Sequence, residues 1–197
     1  MTSAAEPPGA DARRIGATRV LPTGREAPVP DLVELDAAGL PTGRFVAVPP
    51  GTRLAAFYTY WLSCAHGSVL PDMSAIDPLR MPPEILAFMV MYEIDPPTAA
   101  AHAPEPFRIR TRLVGTAVVE RSGVDLTGSI VEPTGLTATQ HARLSWALAN
   151  RRPFIAHGQV PAVERDYIQF TVLVLPFADG GGEIRRLVSV LQFRPPS

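Results

Sequence analysis

The chain has 197 residues, 46% apolar and 19% charged, a balance that suits a folded globular domain and excludes a chain held open by low hydropathy and high charge. A net charge of −1 and an isoelectric point near 6.4 give no global attraction for nucleic acid or anionic lipid, and no apolar run reaches the roughly 18 residues that a membrane span needs. The single cysteine, Cys64, cannot close an internal disulfide, and acid and proline stand where an export signal would be basic and then apolar, so a cytoplasmic address is expected.

Residues 1–30, rich in Ala, Pro, Gly and Arg without periodicity, read as a flexible tail. Residues 31–53 form an extension in which Leu32–Leu35 and Arg44–Val48 flank a turn-forming stretch and predict a short hairpin. The spacing of Leu54, Phe57, Tyr58, Trp61, Leu62 and Ala65 predicts an amphipathic helix from Leu54 to His66, stopped by Gly67. After a proline-punctuated stretch, Phe88–Ile94 reads as a strand and Pro96–Pro106 as a loop. Phe107–Val114 alternates, with Phe107, Ile109, Thr111 and Leu113 on one face and Arg108, Arg110 and Arg112 on the other. Thr116–Gly123 predicts a short helix and Asp125–Gly128 a turn. Thr137–Arg151 predicts a longer helix with Leu144 and Leu148 on its apolar side. Strands are expected over Pro153–Val160, Asp166–Phe177 and Glu183–Phe193, the last two joined by a hairpin turn at Ala178–Gly182. The fold expected of residues 54–194 is therefore α+β: a five-stranded antiparallel sheet with helices on one face, preceded by an amphipathic helix.

Four stations carry a resemblance. They are Tyr60-Trp61 with Leu70-Pro71-Asp72 and Ile76-Asp77-Pro78; Arg110-Thr111-Arg112-Leu113-Val114-Gly115-Thr116; Gly123-Val124-Asp125-Leu126-Thr127-Gly128; and Leu175-Pro176-Phe177-Ala178-Asp179-Gly180. Through them the chain resembles a bacterial family of compact PAS-type proteins, over about Leu54 to Phe193. The resemblance implies a PAS-like sensory or interaction module that binds a small molecule or a signalling protein, associates as a homodimer and carries no catalytic residue. Most of the signature builds the fold: Gly115, Gly123 and Gly128 sit at turns or close contacts, and Asp125 and Thr127 can bond neighbouring backbone N–H groups.

The candidate ligand pocket is lined by Ile109, Thr111, Leu113, His141, Leu144 and Leu148, an apolar set with a hydroxyl and one imidazole that suits a small apolar ligand with one polar handle. Haem-binding PAS domains place an axial histidine on the helix of His141, which makes haem the lesser reading there beside a histidine at the pocket rim. The flavin-photosensor pattern needs a cysteine between the second and third strands of the domain, and Cys64 lies elsewhere. Cys64 and His66 point to different sides of their helix and make no nucleophile–base pair. No metal-ligand spacing or phosphate loop is present. Arg108, Arg110 and Arg112, with Trp61, are the candidate partner face. An enzyme would need His141 and an acid such as Glu120 or Asp125 in one cavity; a structural dimerisation unit would have a filled one. With little sequence after Phe193, output is expected through contact with a partner.

Overall fold

The alternating and continuously apolar runs assemble into one mixed sheet in the structure, a computed structural model that describes residues 32–65, 70–96, 107–161 and 167–194. The expected tail over 1–30, the helix stop at Gly67 and most of the loop 96–106 lie outside the described residues. The strands are β1 (Leu32–Leu35), β2 (Pro41–Val46), β3 (Met89–Asp95), β4 (Arg108–Val114), β5 (Phe154–Pro161), β6 (Tyr167–Ala178) and β7 (Ile184–Phe193). The helices are α1 (Arg53–Cys64), α2 (Pro83–Leu86), α3 (Thr116–Ser122) and α4 (Ala138–Asn150).

The strand order β2-β1-β5-β6-β7-β3-β4 corrects the expected strand count from five to seven. The five expected strands form the continuous antiparallel block β5-β6-β7-β3-β4, in the order 2-1-5-4-3 read from the β4 edge and counted within residues 54–194. The β1–β2 hairpin of the extension adds to the free edge of β5 through a parallel β1–β5 pairing. Leu32 and Leu35, both at most 2% exposed, supply the apolar burial that holds it there. The architecture is α+β.

Register assigns the faces that alternation alone left open. Val90, Tyr92 and Ile94 of β3, Val172 and Val174 of β6, and Phe154 and Ala156 of β5 share the side covered by α4, where Trp146 meets Phe154 edge-on at 6.2 Å and Gln140 reaches Tyr92. Ile155, Leu173, Leu175, Val188 and Val190 on the other side are buried too, each at most 1% exposed. Helix α1 packs against β6 and β7 and covers that face with Leu54, Phe57, Tyr58 and Trp61. Its first turn is capped by Thr52, whose hydroxyl accepts from Ala55 N–H.

Two features shape the β4 end. A bulge in β4 pairs Leu113 with Met91 but Thr111 with Tyr92, so Arg112 has no cross-strand partner. The strand's parity therefore changes beyond Thr111, which corrects the expected inward position of Leu113: its side chain joins the face of Met91 and is 39% exposed. The chain after α3 then returns along the open edge of β4. Gly128 N–H donates to Thr111 O, Thr111 N–H to Ser129 O and Val131 N–H to Ile109 O. The turn leading into this strip is set by Asp125, whose carboxylate accepts from Thr127 N–H. Gly115, between β4 and α3, is required by space: a Cβ there would lie 2.5 Å from the Ala87 carbonyl oxygen.

Candidate functional site

The strip at 128–131 leaves a groove of about 330 Å³ between itself, β4 and the start of α4, lined by Arg108, Ile109, Ile130, Val131, Glu132 and His141. Its lining follows from local structure. Ile109 comes from the buried face of β4, Val131 is held opposite it by the backbone bond to Ile109 O, and His141 stands on the first turn of α4. Ile109 and Val131, 1% and 3% exposed, form its apolar floor, and Arg108, Glu132 and His141 supply the polar groups.

Two residues along β4 on the face of Ile109, the Thr111 hydroxyl is buried and has no hydrogen-bond partner. A hydroxyl taken out of water without a partner is destabilised by about 1–3 kcal/mol. Tyr92, which pairs with Thr111 across the strands, has its phenol accepting from Gln140 Nε2 at 2.6 Å. Burial pushes the Tyr92 phenol up to about 12, against the opposing pull of its bonds with Ser189 and Gln140.

The sequence-predicted residues separate into groups. Ile109 and His141 line the groove, and Thr111, two residues along the same face of β4, does not. Leu144, 2% exposed, and the partly buried Leu148 belong to the core under α4 and do not line the groove. Leu113 faces away because of the bulge. The arginine row is divided: Arg108 lines the groove, Arg110 pairs with Asp95 at 3.2 Å, and Arg112 is the unpaired bulge residue. Trp61 does not sit on a partner face, for it is 5% exposed and its indole N–H donates to Pro176 O at 2.8 Å. Its hydrophobic bulk drives it under the sheet, and the carbonyl satisfies its one polar atom.

Glu120 and Asp125, the acids expected beside His141, are not in the groove; Glu132 is. No hydrogen bond joins Glu132 to His141, whose Nδ1 lies 3.5 Å from Ser145 Oγ. No group of three or more His, Cys, Asp or Glu side chains is placed to hold a metal among the described residues. Cys64 lies on α1 near Ser63, away from the groove. Sequence reasoning missed Ile130, Val131 and Glu132. The signal available was the Ser-Ile-Val run directly after the Thr-Gly turn, too short to read as a strand but long enough to line an edge.

No protein-family model matches the chain, and no curated protein matches it. Among solved structures it is similar to the light-state structure of the blue-light photoreceptor Aureochrome1 LOV, at 12% identity and a TM-score of 0.38, over 57% of this chain and 84% of that one. It is similar to the PAS domain of Bordetella pertussis BvgS at 16% identity and a TM-score of 0.32, over 54% and 75% of the two chains. An RNA-binding Light-Oxygen-Voltage receptor aligns at 14% identity and a TM-score of 0.39, over 63% of this chain and 36% of that one.

Proposed function

We propose that the chain is a PAS-type sensory or interaction module, without catalysis, that takes a small, largely apolar ligand with one polar group into the groove between β4 and α4. The observation that carries this reading is the groove floored by Ile109 and Val131, with the Thr111 hydroxyl buried without a partner two residues along β4 from Ile109 and behind its lining. A ligand acceptor or donor reaching that hydroxyl removes its desolvation penalty, while His141 and Arg108 recognise the outer end. This assigns Ile109, Thr111 and His141 as ligand residues and leaves Leu144 and Leu148 to the packing behind them.

Native mass spectrometry of the purified full chain tests it. A small-molecule adduct is expected on the wild type and lost from Thr111→Val, with ligand-free Thr111→Val at least as stable as the wild type in thermal unfolding. That pairing separates ligand binding from damage to the fold, since valine matches the shape of threonine and removes the unpaired hydroxyl. A bare protein, monomeric or dimeric, overturns the proposal, and a clean dimer favours a structural dimerisation unit. An adduct that survives Thr111→Val also overturns this assignment of the site.

A further inference from the structure

At the end of the sheet where β7 finishes, two arginines from different elements stand over the same aromatic ring. The guanidinium carbon of Arg53, on α1, lies 3.3 Å from the centroid of Phe88, and that of Arg121, on α3, lies 5.2 Å from it. Arg121 also stands 5.0 Å from the ring of Phe193, which contacts Phe88 and Phe170. Contact with an aromatic face stabilises a guanidinium. It does not account for two of them at one ring, where like charges repel. Neither arginine makes an ion pair among the described residues. Each gives one long bond to a carbonyl, Arg53 to Leu191 O at 3.4 Å and Arg121 to Ala117 O at 3.3 Å. Most of their N–H donors are therefore uncommitted. Both side chains are partly exposed, so the pair is open to solvent.

We infer that Arg53 and Arg121 form an oxyanion-binding site, specific for a phosphate or carboxylate group held between the two guanidinium forks above Phe88. The forks present paired donors to such oxygens, the arrangement that makes arginine the preferred residue for this recognition. The electrostatics agree: burial and then the charge of Arg121 lower the pKa of Arg53, and Glu84 opposes them without reaching ion-pair distance. An anion would relieve that repulsion. The site lies on other elements than the β4–α4 groove and stands independently of the ligand proposed there.

The test is thermal unfolding and titration calorimetry of the full chain with inorganic phosphate and, separately, acetate, against sodium chloride at equal ionic strength. Phosphate or acetate is expected to raise the melting temperature beyond the chloride control, and the better of the two names the source chemistry. Arg53→Gln and Arg121→Gln are each expected to weaken binding about tenfold or more, the effect of losing a charge-assisted bond. Arg80→Gln, at an exposed position between α1 and α2, is expected to leave it unchanged. Because Arg53→Gln also removes a ring contact and the bond to Leu191, each variant is judged by its anion-dependent increment and not by its absolute stability. Arg53→Lys, which keeps charge and loses the fork, should bind more weakly than wild type. No increment over chloride, or an equal increment in wild type and both glutamine variants, overturns the site.

Discussion

At the β4 end of the sheet, the peptide groups of 128–131 occupy the strand edge, and although Arg110 pairs with Asp95, the groove side chains Arg108, Glu132 and His141 make no ion pair among the described residues. At the β1–β2 end, side chains do the joining. Glu34, 5% exposed, accepts from Arg44 Nη2 at 3.1 Å and Thr42 Oγ1 at 2.9 Å and has Arg44 Nε at 2.7 Å, with His157 Nε2 3.5 Å away. Arg143 of α4, 9% exposed, donates to Asp36 O at 2.7 Å and His157 O at 3.0 Å and so ties the β1–β2 turn to β5. An edge finished by backbone leaves Arg108, Glu132 and His141 available for a ligand. The edge finished by charges has committed them to structure.

The strongest way to break this contrast is Arg143→Ala. Truncation removes two bonds from a charged donor to carbonyl groups, a loss of about 3–5 kcal/mol in denaturant unfolding. Amide exchange should quicken first in β1 and β2. A loss below about 1 kcal/mol would mean that Leu32 and Leu35 dock the hairpin unaided, and the charged-edge account would fall.

Tyr92 gives the next largest effect, bonded to Gln140 one turn before Arg143 on α4. Its folded pKa of about 12 lies above the ordinary phenol value of about 10, so the folded state favours the protonated form. The resulting stabilisation is complete below pH 10 and is lost as pH rises through 12, about 3 kcal/mol at most. Phenolate absorbance from Tyr92 should appear together with unfolding in an alkaline titration. Ionisation near pH 10 in a folded protein would show water reaching Tyr92 and would turn the shallow groove into a deep one.

The sequence carried the elements well because their signals are local. The stripe of Leu54, Phe57, Tyr58 and Trp61 specifies α1, and Asp179 and its glycines specify the turn between β6 and β7, where Asp179 accepts from Gly181 and Glu183. It could not place Leu113, because a bulge depends on the pairing partner, and one inserted residue reverses every face beyond it. It could not place Trp61 or Arg143 either: amphipathic spacing shows that a face exists, and the carbonyls of Pro176, Asp36 and His157 that receive these side chains come from β6, the β1–β2 turn and β5. The groove was half legible. Ile109 and His141 stood on periodic elements, whereas Ile130, Val131 and Glu132 are positioned by three backbone bonds to β4 that leave no periodic trace.

The smallest effect tests the backbone side of the contrast. Gly128 opens the strip that covers β4, with φ of +85° and nothing within 4 Å of where a Cβ would stand. Gly128→Ala therefore meets conformational strain without a clash, about 1–2 kcal/mol. The strain falls on the residue whose N–H donates to Thr111 O at 2.7 Å, so amide exchange should quicken at Gly128, Thr111 and Val131 and stay unchanged in β1 and β2. A loss as large as that of Arg143→Ala, or exchange quickened at both ends together, would show that the strip is part of the cooperative core and that the two edges are one unit.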